Sequence, residues 1–158
     1  MEIKFTQKSI KAINKWLKRN GFTTTCRLSR KYALCYDLDE NEILVPPQYD
    51  GDKDDLFMKC LRDLKLTSDF DAVTLSILHE LGHAQTAHLF TYDEWNGYNI
   101  VKGTLALVLD ENDDDFYMKY WEVEDEKAAN SWLTMYVNCL PKKVQKLEDI
   151  IEATVKFG

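Results

Sequence analysis

The sequence predicts an α+β fold in one domain spanning residues 1–158, with a small antiparallel sheet beside a set of packed helices. Three observations lead there. Short runs rich in Thr, Tyr, Val and Ile cluster between residues 22 and 45. Beyond them, as in the first helix, apolar residues recur at helical spacing. No internal repeat, low-complexity tract or Pro/Gly/Ser-rich linker divides the chain. A hydrophobic fraction of 45% and an aromatic fraction of 12% are those of a packed core and exclude disorder.

The elements follow in order. A first helix is expected from Gln7 to Arg19, with Thr6 as N-cap and Gly21 closing it. Its apolar residues Ile10, Ile13, Trp16 and Leu17 form one stripe, and its lysines form a solvated face. Phe22 to Leu28, Tyr32 to Leu38 and Glu42 to Val45 read as strands, two or three of them in an antiparallel meander, with Asp39-Glu40-Asn41 as a turn. Pro46-Pro47 ends the last strand. Leu56 to Leu64 reads as a short helix. A central helix is expected to begin near Thr67 or Ser68, where Ser68-x-x-Asp71 resembles a capping box, and to run without proline through Leu89. Tyr92 to Tyr98 reads as an aromatic loop. Ile100 to Leu109 fits either a strand or a buried helix. One long helix is expected over about Asp114 to Asn138. Pro141 then opens a last helix striped with Val144, Leu147, Ile150, Ile151 and Val155.

Composition also restricts function. A net charge of −7 argues against a general binder of nucleic acid or anionic membrane. Cys26, Cys35, Cys60 and Cys139 are scattered without a C-x-x-C pair and read as small core residues rather than metal ligands. The N-terminus lacks the apolar run of a signal peptide, and Ile100–Leu109 is too short to span a bilayer and is interrupted by Lys102. Cytoplasmic location with reduced thiols is the expectation. Acidic runs at residues 50–55 and 110–115 lack the glycine and glutamate of a calcium loop and read as solvated segments. Trp16, Trp95, Trp121 and Trp132 read as packing residues, with Trp95 placed in a loop where it can line a cleft.

The chemistry concentrates at His79-Glu80-Leu81-Gly82-His83, which uses two of the three histidines in the chain. On a helix, positions i and i+4 share a face, so both imidazoles reach one metal ion. Glu80 is placed to take the proton of a metal-bound water, the arrangement of a zinc hydrolase. Gly82 costs roughly 1 kcal/mol inside a helix, which a close backbone or ligand approach would explain. His88 lies about 140° around the helix from His83 and points away. A carboxylate from a later helix is therefore the expected third ligand. Glu122 and Glu126 share a face by their spacing and are tied on this ground alone, with Glu124 and Asp125 directed elsewhere.

His79-Glu80-Leu81-Gly82-His83, followed by Glu126-x-x-Ala129-Asn130-x-Trp132, resembles the ImmA/IrrE group of gluzincin-type zinc metallopeptidases. The match covers roughly residues 30 to 141. Trp132 and Leu133 depart from that family's pattern, Pro141 comes slightly late, and no helix-turn-helix domain is attached. The resemblance implies a zincin-like fold and selects Glu126, with His79 and His83, as the Zn²⁺ ligands. It implies Glu80 as general base in peptide-bond hydrolysis, and a protein substrate such as a transcriptional repressor in a phage or mobile-element setting. Asn130 or Asp125 are candidates to accept the histidine N–H groups. The alternative reading is a catalytically inactive protein-binding module that keeps the zinc as a structural or vestigial site.

Overall fold

The computed structural model describes residues 2–50, 61, 63–110 and 114–158. It is a mixed α+β structure. In chain order its described elements are β1 (Glu2–Lys4), α1 (Gln7–Arg19), β2 (Thr25–Leu28), β3 (Cys35–Asp37), β4 (Glu42–Val45) and β5 (Gln48–Asp50). The helices α2 (Ala72–Thr86), α3 (Tyr92–Val108), α4 (Asp114–Trp121), α5 (Glu124–Cys139) and α6 (Pro141–Thr154) follow, then β6 (Lys156–Phe157). Residues 56–60 and 62 of the short helix expected over 56–64, and residues 51–55 and 111–113 of the acidic runs, fall outside the described residues, while Leu61 is helical.

α1 forms where its sequence places it. Thr6 Oγ1 accepts the Ser9 N–H and Ser9 Oγ accepts the Thr6 N–H, closing a reciprocal cap. Gly21 follows at φ +81, a left-handed conformation that glycine adopts without strain. The stripe of Ile10, Ile13, Trp16 and Leu17 is buried. It packs against α6, and the Trp16 indole donates to the Lys143 carbonyl at 3.1 Å.

Of the expected antiparallel meander of two or three strands, only the β3–β4 pair forms. In the sheet β2-β4-β3, β4 lies in the centre, parallel to β2 and antiparallel to β3. Ile43, Leu44 and Val45 are all buried, and a strand covered on both faces belongs in the middle of its sheet. The Asp39-Glu40-Asn41 turn does form, with Asn41 at φ 52. Its amide oxygen accepts from the hydroxyls of Thr24 and Tyr36. A second antiparallel sheet, β5-β1-β6, was not foreseen, because strands of two or three residues carry too little pattern to register.

α2 is the central helix, with Val73, Leu75, Ile77, Leu78 and Leu81 all buried. It starts at Ala72 rather than near Ser68, because the Asp71 carboxylate caps it by accepting the Thr74 N–H at 2.9 Å. The helix gives way to a short 3₁₀ turn at Ala87–Leu89. The aromatic segment expected as a loop is instead the start of α3, held by a capping box between Thr91 and Glu94. α3 is not the buried helix that its apolar residues imply, since Ile100, Val101, Leu107 and Val108 are exposed. The helix turns Trp95 and Lys102 inward instead.

The expected long helix is two. It breaks between Trp121 and Glu124, with Val123 extended at the α5 N-cap. Glu124, Asp125 and Glu126 thus fall in the first turn of a new helix, where the macrodipole favours negative charge. α5 packs along α2, and one hydrophobic cluster joins residues of α1, α2, α5, α6 and both sheets. No described helix is long and apolar enough to cross a membrane.

Candidate metal centre

His79 and His83 rise from one face of α2 and are both buried, with ring centroids 4.8 Å apart. Glu126 reaches them from the first turn of α5. Its Oε2 lies 2.8 Å from His79 Nε2 and 3.1 Å from His83 Nε2. The ligand atoms of the three residues lie within 4.8 Å of one another, so they form a group able to hold a metal ion. Glu122, the other carboxylate that spacing allowed, is exposed in the break before α5. His88 is exposed on the 3₁₀ turn.

The helix contact behind this geometry runs through Gly82. A Cβ built there would lie 2.7 Å from the Ala129 carbonyl oxygen and 3.2 Å from the Ala129 Cα. Only glycine permits that approach. Ala129 is fully buried at the contact. Glu126, Ala129 and Asn130 lie at i, i+3 and i+4, so one face of α5 supplies carboxylate, contact and amide together.

Hydrogen bonding prepares the donors. His79 Nδ1 lies 2.8 Å from Asn130 Oδ1. An amide oxygen only accepts, so Nδ1 carries the proton and Nε2 is the nitrogen turned to Glu126. His83 Nδ1 is buried without a partner among the described residues. Two ring nitrogens thus converge on one carboxylate oxygen. Without a metal, that arrangement calls for a proton between them. Burial alone would lower the His79 pKa, but the charge and hydrogen bond of Glu126 raise it to about 9. Burial likewise opposes ionisation of Glu126, yet the two histidines hold it well below the usual carboxylate range. Glu80 is held above that range, first by burial, against the pull of His79 and His83.

Aromatic walls enclose the group. Trp121 stacks on His79 at 5.5 Å, and Trp95 meets His83 edge-on at 5.7 Å. Trp95 therefore sits in a buried helical position rather than the loop expected for it. It also lines a cleft of about 300 Å³ between β3 and α3, with Cys35, Tyr36, Asp37, Tyr92 and Asn99. The Cys35 thiol is pushed up to about 11, by burial and then by the charge of Glu80. Among the described cysteines, Cys26, Cys35 and Cys139 are free thiols, and none joins the metal group.

Two residues that the motif did not reveal complete the centre. Lys102 Nζ lies 2.6 Å from Asp125 Oδ2 and 3.1 Å from Glu126 Oε1. Asp125 thus serves Lys102 rather than a histidine. Tyr120 lies near this group, and its pKa is raised by burial and then by the charges of Glu126 and Glu80. Lys102 Nζ also sits 5.5 Å from the centre of the Tyr120 ring. The one sequence signal for Lys102 was a charge interrupting an apolar run.

Fold and site together define the class: an α+β protein with a buried two-histidine, one-glutamate group between two helices, able to hold a metal ion. No family model, curated protein or solved structure matches the chain.

Proposed function

We propose that the protein is a zinc-dependent metallopeptidase that hydrolyses peptide bonds in a protein substrate, a transcriptional repressor being the substrate that the ImmA/IrrE resemblance implies. The observation that carries this is the convergence of His79 Nε2 and His83 Nε2 on Glu126 Oε2, with Glu80 next to His79 on the same helix. Two imidazoles and one carboxylate are a donor set that zinc takes in hydrolytic sites. Zn²⁺ held there supplies a bound water acidic enough to ionise near neutrality.

The remaining work falls to the chain. Glu80, with its affinity for protons raised, accepts the proton of the attacking water and returns it to the leaving amine. Asn130 fixes the His79 ring in the tautomer that presents Nε2. Trp95 and Trp121 keep bulk water off both imidazoles. Tyr120, a phenol near the group whose ionisation is opposed by burial and by the charges of Glu126 and Glu80, keeps its proton and donates it to the oxyanion as that forms. Among the described residues β3 is an edge strand of its sheet, so its outer backbone is available to an extended substrate along the cleft that Trp95 lines.

The test compares zinc-loaded wild type, Glu80→Gln and Tyr120→Phe for the new N-termini each creates in a cell lysate. Glu80→Gln should retain zinc and create none of the wild-type set. Tyr120→Phe should retain zinc and slow the same cleavages by about 10²–10³-fold, the usual cost of losing one oxyanion donor. Identical N-termini from wild type and Glu80→Gln would refute the assignment of Glu80. Undiminished rates in Tyr120→Phe would refute that of Tyr120.

A further inference from the structure

The geometry points to Lys102 as the residue that positions Glu126 at the metal centre: it binds Oε1, so that Oε2 alone is presented to the two histidines. This rests on the metal-centre reading above and adds a positioning residue to it.

Lys102 lies on α3, a helix that contributes no ligand, and its side chain is 12% exposed. Its ammonium lies between two carboxylates buried more deeply still, Asp125 at 0% and Glu126 at 2%. Asp125 is oriented for this task. Its Oδ2 takes Lys102, and its Oδ1 accepts the Glu126 N–H at 3.0 Å. One aspartate therefore anchors both the cation and the backbone of the ligand residue.

A merely structural ion pair accounts poorly for the arrangement. Burying a lysine between acids costs desolvation that the pairing repays only in part. A cation close to a metal site also opposes the metal by Coulomb repulsion. What Lys102 supplies is control of denticity. A carboxylate with two free oxygens can swing, or can grip a metal through both and occupy the position meant for water. With Oε1 held at 3.1 Å by Lys102, Glu126 offers one oxygen, the one 2.8 Å and 3.1 Å from the histidine nitrogens. Outer partners of this kind orient the ligand that touches the metal.

The test reads metal binding rather than cleavage. Zinc affinity is measured by competition with a chromophoric chelator, and coordination is read from the visible spectrum of the cobalt-substituted protein. Lys102→Met/Asp125→Asn is compared with Asp125→Asn, because removing both charges leaves no unpaired aspartate to unfold the chain. Circular dichroism checks that both variants fold. Relative to Asp125→Asn, the double variant should bind zinc about 10–100-fold more weakly. Its cobalt absorption should weaken as a second oxygen enters the coordination shell. Lys102→Arg, which keeps the donor, should retain the wild-type spectrum. Equal affinity and equal spectra in Asp125→Asn and the double variant would overturn the proposal, as would lost cleavage with both metal readouts unchanged. A wild type that takes up neither metal removes the metal-centre reading, and this inference with it. A wild type that binds both while the paired variants match removes the inference alone.

Discussion

His79 and His83 meet the same oxygen of Glu126 because one helical turn separates them and α5 begins where its first carboxylates face α2. Spacing alone made Glu122 and Glu126 equivalent, on the premise of a continuous helix. The break at Glu122 and Val123 removes that premise: Glu122 is left in solvent and Glu126 is carried into the interior. Glu126→Ala should therefore weaken zinc binding by more than the 10–100-fold typical of losing an outer partner, whereas Glu122→Ala should leave it nearly unchanged. Isothermal titration with zinc decides, and the reverse order would show that the third ligand lies elsewhere. His79, Glu80 and His83 were legible as a set because helical geometry fixes the relation of i to i+4. Lys102 and Tyr120 were not, because nothing local tells an inward lysine from an outward one.

At the scale of elements, the contact between α2 and α5 sets the distance across which Glu126 must reach. Gly82→Ala would place a methyl 2.7 Å from a backbone oxygen, which has no rotamer by which to yield. Overpacking of this kind costs about 1–3 kcal/mol, while alanine regains only about 0.5–1 kcal/mol as a better helix former. The clash wins. The variant should melt a few degrees lower and bind zinc more weakly, as α5 is pushed outward. A variant as stable as wild type with unchanged zinc affinity would show that the close approach does not position Glu126. α1 and α6 were legible because their stripes are amphipathic and their caps local, Thr6 with Ser9 and Pro141 at N1. α3 was not, because it leaves apolar residues in solvent and turns a charge inward. The order β2-β4-β3 was hidden for a related reason. Alternation marks a strand, but its neighbour is chosen by burial on both faces.

For the whole molecule, ligands drawn from two packed helices couple metal occupancy to stability. In the metal-free protein His79 is raised to about 9, so the stability it contributes is complete below its ordinary pKa of about 6.5 and is lost as pH rises through 9. Glu80, also raised, adds a decline of the same sign as pH rises through its own range. Glu126, lowered, contributes stability above the ordinary carboxylate pKa and loses it only in acid. The chelated protein should therefore become less stable between about pH 6.5 and 9 by denaturant titration. Zinc takes the place of the proton and should flatten that decline. Zinc at about 100 times its Kd adds about 2.7 kcal/mol, or roughly 5–10 °C in melting temperature for a chain of this size. A chelated protein whose stability is level across that range, and which zinc does not raise, would contradict a shared centre.

The sequence by itself determined the α+β class, the amphipathic helices at both ends, and the pairing of His79 with His83 beside Glu80. Each of these is a local property, set by helical period, capping chemistry or side-chain type. Tertiary structure alone decided that β4 is central, that α4 and α5 are separate, and that α3 turns Lys102 inward, and it brings Glu126, the carboxylate selected by the family resemblance where spacing left it tied with Glu122, to the imidazoles. Those outcomes depend on which surfaces of distant segments exclude water together, and on where a backbone such as that at Gly82 can come close. Neighbours along the chain carry no record of either.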